Sequence, residues 1–524
     1  MIFSDDILKK SEIAMLRLRE LFRDGGYERY EMNNFEEYEL YAANKAFLGS
    51  DDIITFTNPG GKLMAMRPDV TLSIVKNTKS GAEGVARLYY NENVYRRVGR
   101  ELRERVQAGV ECIGEIGVRE MGEVIALAAR SLDALAERSC IDVSHMGFLG
   151  GLLDSVGPTP DARAELLRRV AEKNLPEVSR LAARYGAEAE RAFNKLVALA
   201  GPFESALAEL EGLVVNEKTA LAARELREVW EFVKTLCPRA DIRLDFSVVS
   251  DMGYYDGVTF QGYAEGIPEA ILSGGRYDGL MSKFGRKQGA IGFAVYIDLL
   301  ERAEDGGRAA ARETLNIALP KGRLGETVYE IFEKAGYGCD DILSDTRRLL
   351  FENYEAGVRY FWVRPSDVAI YVERGAADIG VAGSDILLEQ SPGVYEIADL
   401  GVGLCRIAVA AREEFNDARG GALRVATKFV NVAKDYYDSQ NREIDIIELK
   451  GSVELAPLLG LSDVIVDLVE TGATLRENGL VIKDVISTVS ARLIANKTGF
   501  KFKRAAAERF AERIAEVIKS GVGQ

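Results

Sequence analysis

The chain has one histidine in 524 residues, His145, and that scarcity removes whole classes of chemistry before any motif is read. Ser-His-Asp and Cys-His relays need an imidazole beside the nucleophile, and histidine-based metal sites need more than one. Cysteine offers no scaffold either. Cys112, Cys140, Cys237, Cys339 and Cys405 stand far apart, odd in number and without a Cys-x-x-Cys pair, so they read as buried, reduced thiols. No apolar run approaches the roughly 20 residues that cross a bilayer. Asp5 and Asp6 stand where a secretory leader would be basic, so a cytoplasmic protein with no membrane partner is expected. Positive charge is in deficit as well. A formal net charge of −15 repels a nucleic-acid backbone over most of the surface, which argues against such a partner and leaves any phosphate to be held locally. His145 itself precedes Met146, Gly147, Phe148 and Leu149 and is expected to be a packed structural residue.

What is present is globular. With 47% hydrophobic and 28% charged residues the chain is neither disordered nor fibrous, and its length calls for two or more cores. It is organised around residues 463–475. Asp463 to Val469 is a short apolar, β-branched run that reads as a buried parallel strand, and it ends at Thr471, Gly472, Ala473, Thr474 and Leu475. Two hydroxyls, a glycine free to take positive φ and a run of lightly covered backbone N–H groups make a phosphate cradle. Asp467 stands at the carboxyl end of that strand, where ligands of open α/β sheets collect. A second strand, Leu315 to Leu319, ends in Pro320-Lys321-Gly322-Arg323, placing two cations suited to a diphosphate. Further strands, Ala377–Val381, Arg424–Thr427 and Ile444–Leu449, alternate with helices, Lys428 and Asn431 lie between the last two, and Glu454 lies in Gly451–Pro457. That alternation predicts a doubly wound α/β arrangement.

The first half is patterned differently. A helix over residues 4–24, with Ser4 as cap and Leu8, Met15, Leu18 and Phe22 on one stripe, precedes a hairpin of Ile53–Thr57 and Leu63–Met66 that delivers Arg67-Pro68-Asp69-Val70-Thr71. Ala86–Arg97 is a strand with a cationic end. A polar loop rich in Arg and Glu then leads to Gln107–Gly114, where Gln107 and Glu111 point to one side. Residues 155–236 form a helical insertion without chemistry, opened by Thr159-Pro160 and showing Leu226, Val229, Trp230 and Val233 on one face. The boundary is expected at 303–313, giving domains at 1–302 and 314–524.

Residues 1–302 resemble the class II aminoacyl-tRNA synthetase core, within it the histidyl-tRNA synthetase. The likeness rests on the stretches above and on Asp251–Phe260, Leu272–Asp278 and Gly289–Ala294. Three departures stand out. Ser250 replaces the arginine that activates histidine, Leu299 the motif 3 arginine that holds ATP, and Val98 the glutamate two residues after the motif 2 arginine. The resemblance implies a pocket for free histidine built by Asp69, Thr71, Gln107, Glu111, Tyr254, Tyr255 and Tyr277, without adenylate chemistry. Such a domain is similar to the regulatory subunit of ATP phosphoribosyltransferase. Residues 314–524 resemble the short-form catalytic ATP phosphoribosyltransferase through Leu319–Leu324, Gly451–Pro457 and Asp467–Leu475 in that order, with Val430 and Ala369 where the family usually has proline. Only one helix is expected after Asn496, too little for the regulatory domain of long-form enzymes.

The expected fold class is therefore α/β with an α+β front: a class II aminoacyl-tRNA-synthetase-like antiparallel-sheet domain, then a two-lobed periplasmic-binding-protein-like doubly wound domain. The resemblance implies transfer of a phosphoribosyl group from 5-phosphoribosyl 1-diphosphate to N1 of ATP, with histidine as inhibitor and a homo-oligomeric assembly. Lys321 and Arg323 would neutralise diphosphate, Thr471–Leu475 would hold the 5-phosphate, Glu454 would contact substrate, and Asp467 would take ribose hydroxyls or assist Mg²⁺ carried by the diphosphate. No direct protein metal site is expected. An active histidyl-tRNA synthetase and a non-catalytic binding protein are the rival readings.

Overall fold

The computed structural model describes residues 8–44, 53–78, 84–98, 101–249, 255–302, 314–340, 342–344, 348–417 and 420–521. Ser4, Ser250, Tyr254 and the expected linker 303–313 lie outside the described residues, as does the side chain of Val98. The chain divides into two compact units, Met1–Gly307 and Arg308–Gln524.

The first unit is built on strands β1 (Glu28–Arg29), β2 (Phe35–Glu37), β3 (Thr55–Thr57), β4 (Leu63–Met66), β5 (Ala86–Val98) and β6 (Glu101–Gly114). It continues with β7 (Ser139–His145), β8 (Ala200–Pro202), β9 (Ile242–Asp245), β10 (Val258–Ala264), β11 (Leu272–Arg276) and β12 (Gly289–Tyr296). Nine of these form one sheet in the order β1-β5-β6-β12-β11-β10-β7-β9-β8, antiparallel from β5 to β7. β2, β4 and β3 form a small second sheet that delivers Asp69 and Thr71. The helix Val118–Asp133 packs on the large sheet because Met121, Val124, Ile125, Ala128 and Leu132 fall on one buried stripe.

Three details differ from expectation. The first helix is Lys10–Asp24, its entry tied by Lys9 N donating to Glu12 Oε2 at 2.8 Å, so Leu8 precedes the helix. The supposed Arg- and Glu-rich loop is the outer half of β6, paired with β5 right up to Val98 opposite Glu101. Glu101–Glu104 are exposed throughout, and alternation betrays a strand only where one face is buried. The helical insertion, five helices from Pro160 to Leu236, is interrupted by β8, which joins the sheet edge. His145 is a structural residue: buried, it caps the helix Met146–Val156 by accepting from Gly147 N at 3.0 Å, and its Nε2 lies 3.1 Å from Glu225.

The second unit has two lobes. The first holds β13 (Leu315–Pro320), β14 (Leu350–Asn353), β15 (Val358–Val363), β16 (Ile379–Gly383) and β17 (Val394–Asp399). The second holds β18 (Cys405–Arg412), β19 (Leu423–Thr427), β20 (Ile444–Glu448), β21 (Val464–Val469) and β22 (Leu480–Val489). The chain then returns as β23 (Ala491–Asn496), which slots between β16 and β17, giving the order β14-β15-β13-β16-β23-β17. The second sheet runs β20-β19-β21-β18-β22. The lobes are thus joined at Leu400–Leu404 and again at Ser490.

β21 is central, yet only half as parallel as its apolar run suggests. It is parallel to β19 and antiparallel to β18, because β18 enters the lobe from the crossing strand rather than through a helix. Two helices follow β23, Lys497–Phe502 and Arg504–Lys519, where one was expected. The break lies at Lys503, whose ammonium donates to Asp378 at 2.7 Å and to the Thr314 carbonyl at 2.9 Å. Glu389, at the end of the first-lobe helix Ser384–Gln390, accepts from the backbone N–H of Asn431 (3.0 Å) and Val432 (3.1 Å). It thereby caps the second-lobe helix Val430–Ser439 from outside.

Candidate active site and candidate ligand pocket

A cleft of about 670 Å³ opens between the two lobes of the second unit. Arg323, Leu324 and Thr327 line it from the first lobe, Gly403–Cys405 from the crossing strand, and Glu454 with residues 467–475 from the second. It lies at the carboxyl ends of β13 and β21, the position expected of a ligand site in such sheets.

The loop after β21 is shaped by Gly472, whose φ of +72° an L side chain rarely adopts. That turn lets the short helix Ala473–Glu477 begin facing the cleft. Ala473 N donates to Thr471 Oγ1 at 3.3 Å, while the N–H groups of Thr474 and Leu475 belong to a first helical turn and have no acceptor within the helix. Arg476 Nη1 donates to the Thr471 carbonyl at 3.1 Å and braces the loop from behind. The Leu475 side chain is buried in the lobe core, so that residue presents only backbone to the cleft.

Asp467 is half-buried on the cleft floor. Burial raises its pKa, opposed by the Leu468 N–H and the Lys428 ammonium, while Glu454 adds to the rise. Its Oδ1 has no hydrogen-bond partner and lies 3.7 Å from Lys428 Nζ. Asp385, from the first lobe, is pushed up by burial and pulled back by the same lysine. Arg323 opens the helix Arg323–Phe332 and reaches across the cleft, its Nη2 donating to both carboxylate oxygens of Glu470 at 2.9 and 3.2 Å. Lys321 is exposed at the end of β13 and does not line the cleft.

The sequence reading noted Lys428 only as lying between two strands and gave neither it nor Asp385 a role in the site. Lys428 had a signal: it directly follows β19, the parallel neighbour of β21, so both strand ends face one place. Asp385 had none, since it comes from the other sheet. Among the described residues no group of three His, Cys, Asp or Glu side chains is placed to hold a metal ion.

In the first unit, three of the expected pocket residues meet directly. Thr71 Oγ1 donates to Glu111 Oε1 at 2.7 Å and Tyr277 OH to Glu111 Oε2 at 2.5 Å. Burial pushes the Glu111 carboxyl up to about 8, against the pull of those two hydrogen bonds. Asp69, close enough to add to that rise, is itself raised by burial, with Leu72 N–H and the Arg96 charge opposing. Tyr255 is near both carboxylates, and its phenol is held well above the usual range. Gln107 faces Tyr296 across the β6–β12 ladder. Tyr90, fully buried against the same carboxylates, was not selected by the sequence reading. Space for Glu111 comes from Gly292 opposite it: a Cβ there would lie 1.9 Å from Glu111 Oε2. Leu299 is buried within the core of this unit.

Comparison with known proteins matches this division. The histidyl-tRNA synthetase family profile covers residues 5–300, and that of ATP phosphoribosyltransferase covers residues 364–516. An ATP phosphoribosyltransferase of Brachyspira hyodysenteriae is 55% identical over 205 residues, 39% of this chain and 100% of that protein. One from Caldanaerobacter subterraneus is 46% identical over 209 residues, 40% of this chain and 100% of its own. A solved ATP phosphoribosyltransferase regulatory subunit/histidyl-tRNA synthetase from Bacillus halodurans is 26% identical, with a TM-score of 0.53, over 69% of this chain and 97% of that one. The chain belongs to the ATP phosphoribosyltransferase family and carries, ahead of its transferase part, a unit of the histidyl-tRNA synthetase family.

Proposed function

We propose that the chain condenses ATP with 5-phosphoribosyl 1-diphosphate to give N1-(5-phosphoribosyl)-ATP and diphosphate, and that free histidine in the front pocket inhibits the reaction. The observation that carries the catalytic half is the cleft, where an anion-binding loop on one lobe faces an arginine on the other. The 5-phosphate lies in the loop Thr471–Leu475, held by hydroxyls and backbone N–H groups. Arg323 neutralises the departing diphosphate, with Lys321 supplying further charge at the rim. Adenine N1 attacks C1 of the ribose with its own lone pair as the C1–O bond to diphosphate breaks, so no base is needed at the nucleophile. Alignment and charge stabilisation carry the acceleration.

Asp467 and Glu454 are oxygen donors, and Asp467 Oδ1, which accepts no hydrogen bond, fits a Mg²⁺ ion that rides on the diphosphate or the ribose hydroxyls. When bound, Mg²⁺ would spread the charge of the leaving diphosphate. In the front unit a buried carboxylate pair with raised pKa suits a cationic ligand, and the ammonium of histidine beside Asp69 and its imidazole toward Glu111 and Tyr277 match that need. Thr71, Gln107 and Tyr255 complete the pocket. A cytoplasmic homo-oligomer is part of the same reading, because class II cores pair through their first motif.

The test is the rate of N1-(5-phosphoribosyl)-ATP formation by the full-length chain, followed by ultraviolet absorbance with and without histidine. Product formation that histidine suppresses is expected. No product would overturn the catalytic assignment, and a rate indifferent to histidine would leave the front unit as a scaffold.

A further inference from the structure

Glu470 precedes the phosphate loop, and its carboxylate is engaged by Arg323, the cation placed above on the leaving diphosphate. Both side chains line the cleft and both are open to water, at 83% and 62% exposure. They belong to different lobes, so neither is held there by its own sheet. A pair this exposed is weak, and it engages only Nη2, whereas a diphosphate offers the same guanidinium more negative charge and oxygens for its other N–H groups.

Resting on the catalytic reading above, we propose that Glu470 is an affinity-setting residue: it occupies Arg323 in the empty cleft and is displaced by the diphosphate of the substrate. Binding then exchanges one ion pair for another instead of creating a new one, which holds affinity down and lets product diphosphate leave. Glu470 touches no substrate in this scheme. It acts only through Arg323.

The experiment is a cycle of full-length variants, E470Q, R323Q and the double variant, titrated calorimetrically with inorganic diphosphate and assayed for KM and kcat. Freeing Arg323 is expected to tighten diphosphate binding by about two- to fivefold, the range set by an exposed ion pair. KM for 5-phosphoribosyl 1-diphosphate should fall in step, with kcat within about twofold of native because the freed guanidinium binds substrate and transition state more tightly by the same amount. In the R323Q background the same E470Q change should give no gain. An equal gain there would mean simple repulsion, and weaker binding or a higher KM in E470Q would mean that Glu470 contacts substrate; either result overturns the proposal. Native protein that neither binds diphosphate nor forms product would instead sink the catalytic reading, and this inference with it.

Discussion

The front pocket hides its charge and the cleft displays it. Glu111 is 2% exposed and shares its surroundings with a second carboxylate, whereas Arg323 is 83% exposed and its anion-binding partner is a row of backbone N–H groups. Burial makes the carboxylates costly to ionise, so the front pocket favours a ligand that brings positive charge. The cleft needs no such device. Backbone dipoles are fixed and do not titrate, and a phosphate is charged before it arrives. One site therefore selects through protonation and the other through geometry.

Breaking the geometric site should have the larger effect. Gly472→Val forces a β-branched residue into the left-handed region and turns the phosphate loop, so kcat/KM should fall by ~100-fold or more. Histidine binding by the same variant, measured by calorimetry, should persist, since Gly472 belongs to the second unit. Loss of both would mean that the sites share one folding event.

The protonation contrast can be sharpened by pH. Glu111 is pushed up to about 8, so at pH 7 the empty pocket is mostly protonated there. The ligand's ammonium beside Asp69 and a neutral imidazole N–H donated to Glu111 both favour the Glu111 carboxylate, and binding therefore expels a proton. Affinity for histidine should rise with pH by about fivefold between pH 7 and pH 8 and flatten above. Calorimetry in two buffers of different ionisation heat counts that proton, and proton uptake would refute the role given to Glu111. The smallest effect is expected at the external cap: Glu389→Gln keeps one oxygen that can accept from both N–H groups but removes charge from a helix N-terminus, lowering the transferase unit's melting temperature by about 1–3 °C in scanning calorimetry.

The sites were unevenly legible in sequence. The loop proposed to hold the phosphate could be placed because its parts, an apolar run, a glycine and two threonines, are contiguous. Alternation put Glu111 on one face with Gln107, and family likeness put it in a pocket, but the clearance that Gly292 gives it exists across a ladder that joins residues far apart. The outer half of β6 was missed because charge on both faces leaves no alternation to detect. Glu470 carries no local signal at all: its partner lies 147 positions earlier, on the other lobe. Strand direction in β21 was half wrong for a related reason, as a strand's apolarity reports its burial and not the route its neighbour took.

That route has a consequence in time. The second lobe is one uninterrupted stretch, β18 to β22, so it can pair all its strands as soon as residue 489 has left the ribosome. The first lobe begins earlier and finishes later, because β23 lies between β16 and β17 and is synthesised after the whole inserted lobe. Until it arrives, β17 has no neighbour in the sheet and Val381 and Tyr395 face an empty slot. The older lobe of the transferase unit waits, open-edged, for β23 to be made.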